Sequence, residues 1–316
     1  MARILVVAPN WIGDALMAQP LLTRLREQDP AAKIHVLAPD WVAPVARRMT
    51  EVDEVISVPF RHGSLDLADR WRLARALARR AYDRAIVLPN SWKSALVPFL
   101  AGIPQRAGYV GELRYGLLNS TLPNSKSPMP VHYARLAGSE PVQPLPHPRL
   151  EVNEQEIAET RRRFGIERRY AVLCPGAEYG PAKRWPYFGE LAQRIGMPVV
   201  ILGSANDREA AAGIPGKDLA GRTTLDEAIA LIAGAQVVVS NDSGLMHVAA
   251  ALRRPQVALF GSSSPEHTPP ASDKARVLWL RVECSPCFAR ECPLGHFRCM
   301  KDLSVERVAA EVGKLA

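Results

Sequence analysis

Long apolar runs are missing from this sequence of 316 residues. None approaches the roughly 20 consecutive apolar residues that a membrane-spanning helix needs, so we expect no transmembrane anchor. The first apolar run, residues 1–8, is short, and the chain reaches Asp14 without the small-residue cleavage site of a signal peptide. We therefore interpret it as the first buried strand of a cytoplasmic protein.

Two nucleotide-binding signatures are also missing. The first strand-to-helix turn lacks the Gly-x-Gly-x-x-Gly pattern, and no acidic residue clearly follows the second strand where it would bind a ribose. The chain also lacks the Gly-Lys-Ser/Thr end of a Walker A loop. These absences disfavour an NAD-dependent protein and a P-loop enzyme.

Basic residues are in excess, but they form no blocks. Lys and Arg number 40 against 32 Asp and Glu, which gives a formal net charge of +8 and an isoelectric point near 9.4. No basic stretch is interleaved with aromatic residues, which disfavours a dedicated nucleic-acid binder. The excess better suits phosphorylated substrates or an anionic membrane surface.

Cysteine is scarce outside one C-terminal segment. The chain has five cysteines, and Cys174 is the only one that lies before residue 284. Because nothing else suggests secretion, we expect reduced thiols. The spacing of the four C-terminal cysteines superficially suits a zinc site, with His296 as an alternative ligand. The first two cysteines are close together, but the last two are spread out. Packing thiols are the favoured interpretation and we expect no metal; a metal site and disulfides are the alternatives for Cys284, Cys287, Cys292 and Cys299.

Strand-like and helix-like segments alternate along both halves of the chain. The length is comfortable for two domains of about 150 residues. In the first half, the pattern predicts strands at residues 3–8, 33–38, 54–58 and 84–88, and helices at 14–28 and 67–80. In the second half, it predicts strands at 170–174, 198–202, 236–240 and 256–260, and helices at 186–195, 224–233, 244–252 and 305–315.

This alternation predicts an α/β protein with two doubly wound, Rossmann-like domains of parallel strands. A proline-rich stretch from about residue 119 to 148 marks the connection, so we expect domains at 1–150 and 151–316. An alternative for the last helix, residues 305–315, is that it packs back on the first domain. Two such domains are expected to face each other across a cleft, which is the default ligand site.

The loop at residues 9–14 (PNWIGD) follows the first strand and opens the first helix. Gly13 would allow the backbone to approach a ligand closely. Asp14 has two interpretations: an N-cap for the helix, or a general base that accepts a proton from an attacking hydroxyl.

The loop at residues 175–186 follows the first strand of the second half. Its glycines, Lys183 and Arg184 precede a Trp-Pro helix start, a composition typical of a diphosphate-binding turn. The alternative is a solvated basic loop. Residues 203–207 and 221–224 also follow strand-like runs, and Thr223 and Thr224 could line a nucleoside pocket there.

The third loop, residues 240–247 (SNDSGLMH), joins a valine-rich strand to a helix of small residues. Asp242 could bind sugar hydroxyls, and the amides of Ser243 and Gly244 could bind a phosphate at the helix N-terminus. His247 lies one turn further on the same face. A capped turn and an interior histidine are the alternatives for this loop.

With these loops in view, the chain resembles the ADP-heptose–lipopolysaccharide heptosyltransferases of glycosyltransferase family 9. The resemblance runs over essentially the whole length. It includes the residues NWIGD at 10–14, RYGLLN at 114–119, PGA at 175–177 with KRWP at 183–186, NDSGLMH at 241–247, and the cysteine segment from 284 to 296.

The resemblance implies a GT-B fold and an inverting, metal-independent transfer from ADP-L-glycero-D-manno-heptose. The implied acceptor is the first heptose of the lipopolysaccharide inner core, joined to Kdo and lipid A. Asp14 matches the proposed catalytic base of the family, and Lys183 its phosphate-binding lysine. The residues that match or lie near its donor-binding segments are Gly13, Glu178, Thr223, Thr224, Asp242, Ser243, Gly244 and His247.

The phosphates and carboxylates of that acceptor would need cationic partners. In the first domain we expect Arg61, Lys93, Arg106 and Arg114 to bind them, although each is also an ordinary surface charge. We expect a monomer that meets the anionic inner leaflet of the inner membrane peripherally and binds no nucleic acid. The alternatives are sibling heptosyltransferases with a different core acceptor and a nucleotide-binding α/β protein without transferase activity.

Overall fold

The computed structural model describes residues 1–60, 65–138 and 144–315. Contacts between Cα atoms divide the chain into two compact units, Met1–Pro146 and His147–Ala316. Arg61 lies outside the described residues. Each unit is organised around one parallel sheet of six strands.

Unit 1 has its sheet in the order β3-β2-β1-β4-β5-β6, with every neighbouring pair parallel. The strands are β1 Arg3–Val7, β2 Lys33–Pro39, β3 Glu54–Val58, β4 Arg84–Val87, β5 Gln105–Tyr109 and β6 Ser120–Leu122. The helices are α1 Ile12–Met17, α2 Gln19–Gln28, α3 Ala43–Ala46, α4 Leu67–Ala78, α5 Trp92–Leu100 and α6 Met129–Ala134.

Unit 2 has its sheet in the order β12-β11-β10-β7-β8-β9, again with parallel neighbours. The strands are β7 Ala171–Cys174, β8 Val199–Ile201, β9 Lys217–Asp218, β10 Val237–Asn241, β11 Gln256–Phe260 and β12 Ala275–Trp279. The helices are α7 Glu154–Arg163, α8 Phe188–Arg194, α9 Arg208–Ala211, α10 Leu225–Ala233, α11 Gly244–Ala251, α12 Arg298–Lys301 and α13 Val305–Leu315.

The two sheets share one topology. Counted from the first strand of each unit, both run in the order 3-2-1-4-5-6. Chain direction across the sheet therefore reverses between β1 and β4 in unit 1, and between β7 and β10 in unit 2. Doubly wound sheets bind ligands beyond the carboxyl ends of the strands at this reversal. The predicted α/β class with two Rossmann-like domains is confirmed.

Burial explains why most of the strands could be predicted from the sequence. Val237, Val238 and Val239 of β10 have no exposed surface, as expected for a parallel strand covered on both faces. Helix α13 packs against β10, β11 and α8, and its Val308 and Val312 join the core of unit 2. Their one-turn spacing puts both side chains on one helix face.

Proline explains two local differences from the predicted elements. The single helix expected over residues 14–28 is divided into α1 and α2 at Ala18, two residues before Pro20. Proline lacks an N–H and crowds the preceding turn, so it is favoured near a helix start and disfavoured in a helix interior. For the same reason α6 forms within the proline-rich stretch, because Pro130 occupies its first turn.

Within the described residues, no helix is both long enough and apolar enough to cross a bilayer.

Candidate active site

The reversal point of unit 2 carries a buried ion pair. Asp242 follows β10 directly, and its Oδ2 lies 2.5 Å from Lys183 Nζ, with 4% and 15% of the two side chains exposed. Ser263, after β11, donates its hydroxyl to the same oxygen at 2.5 Å. The predicted cationic turn and the predicted aspartate are thus in direct contact.

Asn241 connects the strand ends around this pair. Its side-chain nitrogen donates to the Pro175 carbonyl at 2.7 Å, and its oxygen accepts the Trp185 N–H at 3.1 Å. Asn241 is fully buried, so both bonds form away from water. They fix both ends of residues 175–185, which we call the lysine loop, against β10.

Aromatic contacts hold the middle of the lysine loop. The Lys183 ammonium lies 4.8 Å from the ring centroid of Tyr179, and the Arg290 guanidinium lies 5.3 Å from it. Tyr179 donates its hydroxyl to the Phe288 carbonyl at 2.6 Å. Lys183 is therefore oriented by an anion and by an aromatic face.

His247 adds a neutral group to the same site. Its Nε2 lies 4.0 Å from Asp242 Oδ1, one turn into α11. Burial lowers the pKa of His247 to about 4, against the opposing effect of Asp242. The imidazole is therefore uncharged at neutral pH and leaves Lys183 as the cation of this cluster.

The other residues of unit 2 that were expected to bind the donor have differing environments. Ser243 precedes α11, with its hydroxyl 3.2 Å from Ser240 Oγ, and Gly244 begins the helix. Glu178 is exposed and accepts from Asn206 at 3.3 Å. Thr224 caps α10 by accepting the Glu227 N–H at 3.2 Å, and Thr223 precedes it.

The reversal point of unit 1 carries a carboxylate. Asp14 lies in the first turn of α1, whose N-cap position is Trp11, so the N-cap interpretation of Asp14 is wrong. Tyr133 of α6 donates its hydroxyl to Asp14 Oδ1 at 3.2 Å. Burial, followed by the charge of Asp14, raises the pKa of Tyr133 well above its ordinary value, which keeps the phenol protonated as a donor.

Asp14 and Tyr133 open into a cavity of about 560 Å³ within unit 1. The loops after β1 and β4 form most of its lining, and Lys93 supplies a cationic side chain. Its lining also includes the aromatic residues Trp11 and Trp92 and a second carboxylate, Glu112. This unit 1 cavity combines two carboxylates, a cation and flat apolar surfaces, which suits a polar ligand with a sugar ring.

Two of the arginines expected to bind the acceptor instead donate hydrogen bonds to backbone carbonyls. Arg114 is 2% exposed and donates to the Tyr109 carbonyl at 2.6 Å and to Asn90 Oδ1 at 3.1 Å. Arg106 donates to the carbonyls of Leu117 and Ile103 at 2.7 and 2.6 Å. Both stabilise the loops of unit 1, and Arg114 supports the cavity wall from behind.

The C-terminal cysteines are free thiols. Burial, followed by the neighbouring cysteines at 284, 287 and 292, raises the pKa of Cys299 to about 11. The pKa of Cys292 is lowered, chiefly by the Phe297 N–H, which donates to its sulfur at 3.4 Å. We call residues 284–299 the cysteine segment. Its thiols are thus close enough to influence one another.

The sequence profile of Glycosyltransferase family 9 (heptosyltransferase) matches residues 70–298. The chain belongs to this family. It is 44% identical over 341 aligned positions to lipopolysaccharide heptosyltransferase 2 of Escherichia coli strain K12, covering 99% of this chain and 98% of the relative. It is also 44% identical to lipooligosaccharide heptosyltransferase 2 of Haemophilus influenzae, with 88% of each chain covered.

Solved structures agree with this assignment. The E. coli ADP-heptose lipopolysaccharide heptosyltransferase II superposes with a TM-score of 0.88 and 43% identity, covering 99% of this chain and 98% of that one. A family 9 glycosyltransferase from Veillonella parvula superposes with a TM-score of 0.85 at 21% identity, covering 99% and 97%. The protein is therefore a lipopolysaccharide heptosyltransferase with the GT-B fold, as the resemblance implied.

Two residues of the site were missed by sequence reasoning. Tyr133 lies in a proline-rich stretch and reaches Asp14 from 119 residues away. Ser263 follows a strand that carried no motif and contacts Asp242. A single sequence does not reveal either contact. The one available signal was the position of Ser263, just after a predicted strand, which is where site residues of such sheets lie.

The buried His247 predicts a pH-dependent stability. Its unfolded pKa is 6.5 and its folded pKa about 4, so between these values the unfolded state binds more protons. Stability is thus lost as pH falls through this window, by about 2 kcal/mol between pH 7 and pH 5. Urea unfolding of the wild type and His247→Gln at both pH values measures it. Other titrating groups are common to both proteins, and an equal loss in both would contradict the assignment.

Proposed function

We propose that this protein is heptosyltransferase II. In this proposal it transfers L-glycero-D-manno-heptose from ADP-heptose to the first heptose of the lipopolysaccharide inner core. The support is the 44% identity to two enzymes named heptosyltransferase 2 and the superposition on the E. coli enzyme named for ADP-heptose. Relatives named heptosyltransferase 1 are less similar, at 27% and 25% identity.

The donor diphosphate binds in unit 2 at the ion pair of Lys183 and Asp242. This placement carries the proposal, since a largely buried ammonium contacts Asp242, two residues before the start of α11 at the sheet reversal. Helix N-terminal amides and a cation both favour bound phosphate. Lys183 stabilises the charge that develops on the departing diphosphate, so the transfer itself uses no metal ion. Asp242, with Ser243, Gly244 and His247, orients the ammonium and the sugar.

The acceptor binds in the unit 1 cavity, and Asp14 is its general base. The Asp14 carboxylate removes the proton of the acceptor hydroxyl as that oxygen bonds to the anomeric carbon of the heptose. The bond from that carbon to the diphosphate oxygen breaks, and its electron pair leaves with ADP. One displacement of this kind inverts the anomeric configuration.

Tyr133 holds the base ready for this step. Its protonated hydroxyl binds Asp14 Oδ1 at 3.2 Å and so orients the carboxylate. Lys93, in the cavity lining, pairs with an acceptor phosphate or Kdo carboxylate. Arg61 remains a proposed acceptor contact, whereas Arg106 and Arg114 act through the loops that they stabilise.

The remaining proposals concern the setting of the enzyme. We propose a cytoplasmic monomer that contacts the anionic inner leaflet of the inner membrane peripherally, where its lipid-linked acceptor is found. The net charge of +8 supports this, because a basic protein is attracted to anionic lipid surfaces.

Acceptor choice distinguishes this proposal from its siblings. We expect transfer from ADP-heptose to a Kdo-lipid A acceptor that already carries one heptose. Transfer to the same acceptor without that heptose should be at least about 100-fold slower, because a site that hydrogen-bonds a substrate hydroxyl rejects an analogue that lacks the hydroxyl. Mass spectrometry of the products measures both reactions. Efficient transfer to the acceptor without heptose would assign the enzyme to type I, and transfer to neither would reject the proposal.

Asp14→Asn should lower kcat by about 100-fold to 10,000-fold, because the amide cannot accept the proton. Binding of ADP should be unchanged, since Asp14 belongs to the acceptor unit. The matched control is Asp69→Asn, an exposed carboxylate on α4 of the same unit, which should retain wild-type turnover. Near-normal turnover in Asp14→Asn would remove Asp14 as the base.

Lys183→Ala should weaken ADP binding by about 10-fold to 100-fold, the range of one charge-assisted hydrogen bond. Isothermal titration calorimetry with ADP measures the effect without the acceptor. Lys314→Ala is the matched control in the same unit, because Lys314 is exposed and pairs only with Glu311 in the contacts described. Equal ADP affinity in all three proteins would exclude Lys183 from the phosphate site.

A further inference from the structure

The cysteine segment plays no part in the chemistry proposed above. Its cysteines at 284, 287, 292 and 299 all line one small cavity of about 20 Å³. A cavity of this volume holds a single water-sized occupant. The thiols reach it from separate places: the loop after β12, the following turn and helix α12. Four thiols that converge on one ion-sized space make a ligand set with few other uses.

Backbone N–H groups of residues 294–297 also surround one of the sulfur atoms, that of Cys292. Cys292 Sγ accepts the Phe297 N–H at 3.4 Å and is approached by the N–H groups of Leu294, Gly295 and His296. Backbone N–H groups of this kind orient metal-bound thiolates and offset their charge. His296 lines the same cavity, but its Nδ1 already accepts the Arg298 N–H at 3.0 Å.

We propose that Cys284, Cys287, Cys292 and Cys299 bind one divalent transition-metal ion as a tetrathiolate site. Four cysteine ligands in a tetrahedral arrangement are typical of structural zinc, and iron is the other metal that this ligand set favours. This proposal replaces our expectation of packing thiols. The long spacing to Cys299, which counted against zinc in the sequence, is bridged by the turn that encloses Cys292.

The thiols need small movements to complete the site. Across residues 1–60, 65–138 and 144–315, no group of three or more His, Cys, Asp or Glu side chains already stands in position to hold an ion. Cys287 is exposed and Cys284 and Cys292 are half-buried, so they can rotate inward without displacing packed neighbours. Cys299 is buried in the core of unit 2 and serves as the fixed ligand.

The location suggests what the ion would do. The Arg290 carbonyl accepts the Ala182 N–H at 3.0 Å, one residue before Lys183. The Phe288 N–H donates to the Ser262 carbonyl at 2.7 Å, one residue before Ser263. The cysteine segment thus supports both partners of Asp242. If the proposed donor site is correct, the ion positions Lys183 by fixing this segment.

Metal content of the full chain, purified without a polyhistidine tag, tests the site. Elemental analysis should find about one zinc or iron per chain, and the element identifies which. Cys287→Ser and Cys292→Ser should each lose most of the metal. Cys174→Ser is the matched control, since this thiol is buried on β7 and lines no part of the cavity, and it should retain the metal.

Three results would overturn the site: wild-type protein with no metal and freely reactive thiols, a disulfide within the segment, or metal that survives both substitutions. The wild-type measurement keeps the proposal testable even if the serine variants fail to fold.

Chelation of the wild type tests the positioning role. It should lower the Tm by several degrees and weaken ADP binding several-fold, because bound metal stabilises the fold that holds Lys183. Unchanged ADP affinity after complete metal removal would overturn the positioning role. Metal content does not depend on transferase activity, so a chain that binds the ion but not ADP would reject the donor site and leave the metal site intact.

Discussion

The largely buried ion pair of Lys183 and Asp242 is the interaction on which the proposed donor site depends. Removing two charges from water costs several kcal/mol per ion, so such a pair persists only when further hydrogen bonds satisfy it. Here Ser263 supplies one at 2.5 Å, and His247 stays neutral because burial lowers its pKa to about 4. A second cation at His247 would compete with Lys183 for the same carboxylate.

This costly arrangement has a chemical use. A transferase that leaves charge on a diphosphate gains most from a cation that is already in position, since no reorganisation is then needed as the bond breaks. Asp242 and the Tyr179 ring give the ammonium that position before any donor binds. Asn241 fixes both ends of the lysine loop to β10, so the loop and the strand form one rigid support.

Sequence patterns were informative where burial is periodic and uninformative where contacts are distant. Most core strands were predicted because their apolar runs are short and bounded by turn residues. Strands β5, β6, β9 and β12 were not predicted. QRAGY, STL and KD carry few apolar residues, and β12 (ARVLW) is largely exposed at the sheet edge. The role of a charged loop residue also cannot be predicted from its charge alone. Arg114 was expected to bind the acceptor, yet it donates to a carbonyl after β4 and to the carbonyl of the last residue of β5. Such surroundings arise only when the chain folds.

The two units show how one topology supports two kinds of chemistry. Both sheets reverse direction at the equivalent pair of strands, which determines where a ligand can bind but not which one. In unit 1 the reversal point carries the Asp14 carboxylate and its phenolic donor; in unit 2 it carries a cation. A carboxylate suits proton removal and repels a diphosphate, whereas an ammonium does the reverse. The difference in charge, rather than the fold, therefore supports our proposal that the acceptor binds in unit 1 and the nucleotide sugar in unit 2.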